Sequence, residues 1–314
     1  MKTVFMFPGQ GSQSIGMMSR LLAESAVAKD VFSEASEAIA LDLLSIAEAG
    51  PESVINQTAI TQPIVLTASL AMWETWKKNS DFKPDYVCGH SLGEYTALVA
   101  SGVLSLKDAV RLVHVRGQLM QHAVPEGEGG MAALLGLADE LVAQACQEAA
   151  QGEVVAPANF NSPGQVVISG ATEALERAIT LAKEKGAKRA AKLPVSVPCH
   201  CDLLKPASES LAAEMNKLAF QEPGMPVMQN VNAKLARDLQ KLKANLLTHL
   251  YSPVLWSQSI AALVAEGAGV FVECGPGKVL SGLNKRIDKS VISMSMDDMA
   301  SMNEVLSVLR EKTA

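Results

Sequence analysis

Residues 86–95 read YVCGHSLGEY, and this stretch decides the fold. Three apolar residues typical of a short buried strand lead into a turn of the form G-x-S-x-G, and a helical sequence follows from Glu94. Such a tight turn between a strand and a helix holds its serine in a strained backbone conformation, with the hydroxyl exposed. We therefore predict that Ser91 is a nucleophile. The backbone N–H of Leu92, at the start of the helix, would face the negative charge that develops on an attacked carbonyl.

Strand-like and helical segments alternate on both sides of this turn. Apolar runs predict buried strands at Lys2–Phe7, Tyr86–Cys88 and Val270–Cys274. Helical periodicity covers residues 17–49, 63–78 and 106–123, with Thr61 and Pro63 as start signals of the second helix. This alternation predicts an α/β fold, in which helices cover both faces of a parallel sheet.

A second, smaller domain interrupts this pattern. After the turn-rich segment Pro125–Gly130, the predicted order is strand, helix, strand, strand, helix, strand, ending near Val195. That order is the split βαβ arrangement of ferredoxin-like modules. We predict a large, discontinuous domain of residues 1–125 and 198–314. The inserted small domain spans residues 126–197, with a Pro-rich return hinge at Pro194–Pro198.

The composition excludes several classes of protein. Of the 314 residues 48% are hydrophobic and 19% charged, which is ordinary for a chain with a sizeable core and rules out a disordered protein. No apolar run approaches the roughly 18 residues of a membrane-spanning helix, and the N-terminus does not resemble a signal peptide. A net charge of −6 argues against nucleic acid as a partner. Five scattered cysteines indicate reduced thiols, and we expect a cytoplasmic protein.

A serine nucleophile needs a base, and the chain has five histidines. We expect His90 to pack under the turn, and the sequence gives no special role to the two histidines of the 106–123 helix, His114 and His122. His200, near the hinge, and His249 are the serious candidates for the base. Spacing does not separate these two, although the hinge position favours His200.

Two further patterns contain residues that can bind a metal ion or a phosphate. The sequence Cys199-His200-Cys201 contains three potential zinc ligands, but adjacent residues cannot surround one ion and no second ligand pair lies at a usable spacing. Gly275-Pro276-Gly277-Lys278 lacks the spacing of a phosphate loop and predicts a structural turn. We expect no metal and no cofactor.

Arg116 lies near the end of an apolar helical run. An arginine there can hold a substrate carboxylate by two parallel hydrogen bonds, or it can simply be solvated. Without further information, the pattern favours the solvated side chain.

Four motifs together resemble one family. FPGQGSQ at 7–13, GHSLGEY at 89–95, NSPGQVVISG at 161–170 and ECGPGKVLSGL at 273–283 resemble the malonyl-CoA:acyl carrier protein transacylases, the free-standing enzymes of bacterial type II fatty acid synthesis. The motifs occur in the family's order, and the resemblance runs from residue 4 to about residue 310. It implies a hydrolase-like parallel-sheet domain with an inserted ferredoxin-like domain and an active site in the cleft between them.

The resemblance also implies residue roles. Ser91 corresponds to the serine that accepts the acyl group, and His200 to the catalytic histidine. Arg116 matches the arginine that binds the malonyl carboxylate, so that this role now outranks the solvated one. The backbone N–H groups of Gln10 and Leu92 match the oxyanion hole.

Two positions depart from the family pattern. A backbone carbonyl at His249 would orient the catalytic histidine, but the family typically has glutamine there. The His249 side chain would therefore perturb the base or contact substrate, and we count it with Arg116 as substrate-binding. Cys199 stands where related sequences often have serine, at the border of the pocket, and would tune acyl selectivity.

By the same resemblance, the chain would transfer malonyl groups from malonyl-CoA to the phosphopantetheine thiol of acyl carrier protein. The mechanism would be ping-pong through a malonyl-serine, supplying fatty acid elongation, and the enzyme would be a monomer. Because carrier proteins are acidic, docking needs a local basic patch. The candidates are Lys185, Lys188, Arg189 and Lys192, or a second group of Lys285, Arg286 and Lys289.

Two rival functions stay open at this point. A serine esterase or thioesterase would use the order serine, acid, histidine, which Ser91, Asp202 and His249 nominally supply. A non-catalytic module that binds carrier protein would have no need of a strained turn at Ser91.

Overall fold

The computed structural model of the chain describes residues 1–195 and 197–313. Ser196, inside the predicted hinge, and Ala314 lie outside the described residues. The strands are β1 Lys2–Phe7, β2 Tyr86–Gly89, β3 Gly129–Leu135, β4 Val155–Ser162, β5 Gln165–Ala171, β6 Arg189–Lys192, β7 Met228–Gln229, β8 Lys234–Leu235, β9 Ala268–Cys274 and β10 Ile292–Met296.

Helices connect and cover these strands, with a 3₁₀ turn at Asp202–Leu204. They are α1 Ser19–Glu24, α2 Ala26–Ile39, α3 Leu43–Ala49, α4 Glu52–Ile55, α5 Thr58–Asn79, α6 Gly93–Ala100, α7 Leu106–Ala123, α8 Asp139–Ala150, α9 Thr172–Glu184, α10 Lys205–Met215, α11 Leu239–Thr248, α12 Trp256–Ala265, α13 Val279–Ile287 and α14 Met299–Thr313. Among the described helices, none combines the length and apolar character needed to cross a membrane.

The large domain is built on a parallel sheet of order β10-β9-β1-β2. Strand β1 has the predicted bounds and is buried from Thr3 onward, because helices cover both faces of the sheet. Its alternate residues enter two separate cores: Phe5 and Phe7 pack with residues of α2, α5 and α7, whereas Val4 and Met6 pack with α12 and α13. This two-sided burial explains why the strand reads as a continuous apolar run.

Pro63 lies inside α5 and does not mark its start, so the predicted boundary is wrong: the helix begins at Thr58. A proline inside a helix has no N–H to donate to the carbonyl four residues earlier. Here that carbonyl belongs to Ala59, and it accepts a hydrogen bond from Nδ1 of His114 at 2.8 Å. The side chain of α7 thus satisfies the backbone group that the proline leaves free, which gives His114 a structural role.

The predicted helical stretch 17–49 is three helices. Helix α2 begins after Ser25, whose hydroxyl accepts from the backbone N–H of Ala28 at 3.1 Å, and α3 begins after Asp42, whose carboxylate accepts from Ser45 N at 3.0 Å. Ala40, with φ of 53°, ends α2. The spacing of the apolar residues does not reveal these breaks, because the capping residues end one helix and begin the next while the apolar face continues.

The small sheet is antiparallel, with strand order β4-β5-β3-β6. Together with α8 and α9, its strands follow the predicted βαββαβ order, and its spatial order is that of ferredoxin-like modules. Strand β6 ends at Lys192, short of the predicted end near Val195. A separate core, drawn wholly from residues 132–182, supports this unit. The domain limits at 125/126 and 197/198 stay a prediction.

The small sheet contacts the large domain beside the Ser91 turn. The backbone N–H of Phe160 in β4 donates to Val254 O at 2.9 Å, and Val254 N donates to Ala158 O at 2.9 Å. The same strand carries Asn161, whose Oδ1 accepts from Nε2 of His90 at 2.8 Å. Strand β4 is therefore held against the large domain beside the turn.

Candidate active site

The Ser91 turn is shaped by its two glycines. Ser91 has φ of 52°, a left-handed backbone conformation that residues other than glycine rarely adopt. A Cβ on Gly89 would collide with the backbone of Gly93, and a Cβ on Gly93 would collide with the carbonyl of Phe7 in β1. The G-x-S-x-G pattern is thus required by close backbone approach, and this approach raises the serine above the end of the sheet.

His200 is the histidine that contacts Ser91. Ser91 Oγ lies 2.8 Å from His200 Nε2, and His200 Nδ1 lies 2.8 Å from the carbonyl oxygen of His249. Because a carbonyl only accepts, Nδ1 must carry the proton, which leaves Nε2 free to accept from the serine hydroxyl. The structure therefore separates the two histidine candidates by their contacts: His200 bonds to the Ser91 hydroxyl, and His249 supplies a backbone acceptor.

The surroundings of His200 keep its imidazole neutral. Burial and, to a smaller extent, the nearby positive charge of Arg116 together lower the pKa of His200 to about 3, against the hydrogen bond to the His249 carbonyl. A histidine with so low a pKa holds no extra proton at neutral pH. It can accept the proton of Ser91, provided that the charge formed is transient.

Arg116 is buried, with 1% of its surface exposed, so the simple interpretation as a solvated arginine is wrong. Its Nη1 donates to Gln62 Oε1 at 2.8 Å, and its guanidinium lies 5.3 Å from the Tyr95 ring centre. Among the described residues, no acceptor lies within hydrogen-bond reach of Nε or Nη2. A buried guanidinium with two unused donors is suited to an anionic ligand, since unpaired buried charge is costly.

The two predicted oxyanion donors are also free. In the described part of the chain, neither the Gln10 nor the Leu92 backbone N–H donates a hydrogen bond to another residue. Gln10 follows β1 and Leu92 follows Ser91, so both N–H groups lie at the carboxyl ends of neighbouring strands. The role of these two groups in holding an oxyanion stays a prediction.

The two departures from the family pattern are near His200. The ring of His249 is fully buried and stacks on His200 with 4.8 Å between the ring centres. Contact between this ring and substrate stays a prediction. Cys199 is half-buried, and burial raises the pKa of its thiol to about 12, so the thiol is protonated at neutral pH.

Sequence reasoning missed Asn230 and Glu94. Asn230 Oδ1 accepts from Ser91 N at 2.8 Å, and its Nδ2 donates to Gly89 O at 2.7 Å, so that one side chain fixes both ends of the turn. Glu94 is buried below the turn and accepts from Asn230 N at 3.0 Å. Glu94 lies within the motif, but Asn230 is 139 residues from Ser91 and its sequence context carries no signal.

His90 packs as expected. Its ring lies 5.5 Å from that of Trp256, centre to centre, and its Nε2 donates to Asn161. Burial lowers its pKa, so the ring is neutral. His90 therefore contributes to the packing of the domain interface and does not bond to the nucleophile.

The Gly275–Gly277 loop is the expected structural turn. The N-terminus of α13 that follows it is already occupied, because the carboxylate of Glu273 accepts from Leu280 N at 3.1 Å and from Ser281 N at 2.8 Å. A phosphate would compete with this internal anion. A search of the described residues for clusters of metal-ligating side chains finds no group of three or more.

A cavity of about 480 Å³ opens beside Gln10, between the two domains. Its lining includes Thr58 of α5, Met131 of β3 and Lys192 of β6. An elongated ligand that reaches Ser91 from this side would pass the small sheet.

The predicted docking residues differ in whether they form ion pairs. Lys185 pairs with Glu148 at 2.8 Å, and Lys192 pairs with Glu176. For Lys188 and Arg189 no ion pair is found within the described residues. In the second group, Arg286 donates to Gln165 Oε1 at 2.7 Å across the domain interface.

Enzymes that pass an acyl group through a serine ester need a hydroxyl bonded to a neutral base, at a position that an acyl donor can reach. Ser91 and His200 meet this requirement on a parallel-sheet scaffold. The fold and the site together define a serine-dependent acyl-transfer enzyme.

The comparison with known proteins identifies the family. The sequence matches the acyl transferase domain over residues 4–312, and the chain belongs to this family. The malonyl CoA-acyl carrier protein transacylase of Salmonella typhimurium is 48% identical over 303 residues, which cover 96% of this chain and 98% of that protein.

Solved structures agree with this assignment. An acyl carrier protein S-malonyltransferase from Vibrio cholerae is 50% identical with a TM-score of 0.95, and the match covers 97% of this chain and 100% of that one. A malonyl-transacylase solved in complex with its type II polyketide acyl carrier protein is 44% identical with a TM-score of 0.97, covering 98% and 100%.

Proposed function

We propose that this chain transfers the malonyl group from malonyl-CoA to the phosphopantetheine thiol of acyl carrier protein, supplying fatty acid elongation. The reaction is ping-pong, with Ser91 as the residue that carries the malonyl group between the two substrates. The observation that supports it best is the hydrogen-bonded pair of Ser91 and His200 beside a buried arginine with two unused donors.

In the first half-reaction, Ser91 Oγ attacks the thioester carbonyl while its proton passes to Nε2 of His200. The resulting oxyanion accepts from the backbone N–H groups of Gln10 and Leu92. Loss of one such donor typically costs about 10²–10³ in rate. The carbon–sulfur bond then breaks, the coenzyme A thiolate takes the proton from His200, and malonyl-Ser91 remains.

The second half-reaction reverses these steps with a different thiol. The phosphopantetheine thiol gives its proton to His200 and attacks the ester carbonyl of malonyl-Ser91. Collapse of the tetrahedral intermediate breaks the bond to Ser91 Oγ, which recovers its proton from His200. The hydrogen bond from His200 Nδ1 to the His249 carbonyl keeps the same tautomer ready for both halves.

Arg116 gives this site its preference for an acyl group with a free carboxylate. A malonyl carboxylate would take the two unused donors, Nε and Nη2, as a parallel pair. An acetyl group would leave the buried guanidinium unpaired, which penalises the wrong substrate.

The test uses malonyl-CoA alone. The purified protein is mixed with it and quenched in acid, and the intact mass and the modified peptide are measured, with Ser91→Ala as the control. We expect a single malonyl adduct on Ser91 that is absent from the control. Free malonate and coenzyme A without an adduct would indicate an esterase, and neither adduct nor turnover would leave only a carrier-binding module.

The esterase alternative loses support from the geometry. It requires His249 as base and Asp202 as acid, but the Ser91 hydroxyl bonds to His200, and Asp202 pairs with Lys205 at 2.8 Å. The base of the alternative therefore does not bond to the Ser91 hydroxyl, and its acid is paired with a lysine. We further propose that the enzyme acts in the cytoplasm as a monomer, consistent with its reduced, unpaired cysteines.

A further inference from the structure

The His249 side chain lies in an unusual position for a buried histidine. It is fully buried behind His200, and no hydrogen-bond partner is found for either ring nitrogen within the described residues. The polar group that approaches it is the Glu94 carboxylate, with Oε2 3.5 Å from Nδ1. A buried imidazole and a buried carboxylate this close stabilise each other, since burying either group without a polar neighbour costs free energy.

Glu94 also connects to the nucleophile. Its carboxylate accepts from Asn230 N at 3.0 Å and from Gln229 Nε2 at 3.4 Å. Asn230 in turn holds Ser91 N and Gly89 O. One carboxylate therefore reaches the serine through Asn230.

The same carboxylate reaches the base from the other side. The His249 ring that it contacts stacks on the His200 ring at an interplanar angle of 28°. The backbone carbonyl of His249 is the acceptor for His200 Nδ1. Any shift of His249 therefore changes both the packing of the His200 ring and its hydrogen bond.

We propose that Glu94 and His249 form a buried positioning pair, which couples the Ser91 turn to His200 and stabilises the imidazolium that forms during acyl transfer. This proposal rests on the proposed function. Neither residue touches substrate in it. Glu94 acts through Asn230 and His249, and His249 acts through His200.

The charges around the pair determine the sign of the effect. His200 becomes positive in the transition state, and an anionic Glu94 favours this change, whereas a protonated Glu94 does not. Burial raises the pKa of Glu94 to about 7, against hydrogen bonds from Asn230 and Gln229 and the positive charge of Arg116. Burial and the neighbouring His200, Arg116 and His90 lower the pKa of His249, so that its ring is neutral.

Other groups that face Glu94 do not share this titration. The thiol of Cys88 in β2 and the phenol of Tyr95 have pKa values raised by burial, so both stay neutral below pH 8. With His200 already neutral, Glu94 is the group around the dyad that changes charge between pH 6 and 8. The acylation rate should therefore rise with pH through about 7.

The experiment measures the single-turnover rate of Ser91 acylation by malonyl-CoA from pH 5.5 to 8.5, with KM and thermal stability. The variants are Glu94→Gln, His249→Ala, their double mutant and His249→Gln, which keeps an amide able to reach Glu94. The matched control is Thr96→Val, since Thr96 is equally buried in α6 and its hydroxyl lacks a partner within the described residues.

We expect Glu94→Gln and His249→Ala each to lower the acylation rate about 10-fold, with KM nearly unchanged, because a displaced catalytic group costs rate more than binding. The double mutant should resemble either single variant, since both break one unit. His249→Gln should recover most of the rate, and Glu94→Gln should lose the rise near pH 7. Thr96→Val should acylate at the wild-type rate.

An unchanged acylation rate in folded Glu94→Gln would overturn the proposal, as would an unchanged rise near pH 7 or multiplicative losses in the double mutant. If His249→Ala does not fold, Glu94→Gln and His249→Gln still decide the question. Failure of the wild-type protein to form the malonyl adduct would instead overturn the proposed function, so the two failures are distinguishable.

Discussion

Ser91 and His200 share a backbone property as well as a hydrogen bond. Both have positive φ, 52° and 64°, although neither is glycine. Residues in this region cost about 1–3 kcal/mol each and persist only where the surroundings impose them. The imposing contacts are the hydrogen bond from Ser91 N to Asn230 and that from His200 N to Leu250 O. The dyad is therefore stabilised by its neighbours and stores strain where the chemistry occurs.

At this scale the first prediction concerns Arg116. Arg116→Ala should lower the rate of Ser91 malonylation by about 10–10²-fold, because buried hydrogen bonds to a charged group contribute roughly 1.5–3 kcal/mol. Acetyl transfer should rise relative to malonyl transfer, since no unpaired guanidinium remains. The measurement is the ratio of kcat/KM for malonyl-CoA and acetyl-CoA, with exposed Arg111→Ala in the same helix as control. Unchanged selectivity in a folded Arg116→Ala protein would contradict the assignment.

The role of an individual residue was predictable where it depends on a motif of neighbouring residues in the sequence. Ser91 stands out because the turn needs glycines on both sides. The sequence alone left His200 and His249 open, because 109 residues separate Ser91 from His200 and spacing says nothing of their contact. Asn230 was invisible for the same reason. The hinge position favoured His200 slightly, and only the resemblance favoured a binding role for Arg116.

At the scale of elements, the turn between β2 and α6 is the most constrained connection. Gly93→Ala should destabilise the protein by at least about 2 kcal/mol, since its Cβ would meet the Phe7 carbonyl and neither strand nor helix can yield easily. Gly282→Ala in α13 is the control, because a Cβ there meets nothing within 4 Å. It should stabilise by about 0.5–1 kcal/mol through helix propensity. Denaturant unfolding measures both, and equal effects would contradict the steric argument.

The basic groups near β6 give a prediction about the partner. Reversing Lys188 and Arg189 to Glu should raise KM for acyl carrier protein about 3–10-fold at low salt, through slower association. KM for malonyl-CoA should not change. Lys29→Glu combined with Lys78→Glu, at exposed lysines of α2 and α5, changes the net charge by the same amount and is the control. Because Lys185 and Lys192 are already paired with glutamates, their reversal should matter less. An effect that is equal for all these lysines would exclude a specific patch.

Elements were predictable when their pattern was local. Strand β1 and helix α7 have the predicted bounds, because an apolar run and a capped amphipathic helix are each complete in sequence. Helix α5 was misjudged because His114, on another helix, supports the carbonyl that Pro63 leaves free. Edge strand β10 is five residues long with alternating serine and methionine, and the sequence analysis did not identify it.

For the whole molecule, the two sheets have separate cores, and this predicts separate cooperative units. Native-state hydrogen exchange should find amides of β3 and β5 opening with one free energy and those of β1 and β9 with a higher one. The residues that open with the small sheet should end near 125 and 197, which tests the proposed limits. A single opening free energy for both sheets would contradict two units. The overall architecture was predictable because each sheet has a characteristic order of elements along the sequence. Strands alternate with helices in the large domain, and the small domain follows the order βαββαβ.

The central place of β1 has a consequence for how the protein is made. This strand, Lys2–Phe7, is synthesised long before its partner β9, Ala268–Cys274. Until β9 is synthesised, one edge of β1 has no strand to pair with. The small sheet can form earlier, because all its strands lie between residues 129 and 192. Pairing so distant in sequence is slow. The protein is therefore most prone to aggregation while only its N-terminal half has been synthesised. A chaperone would act on this half before the last strands are translated.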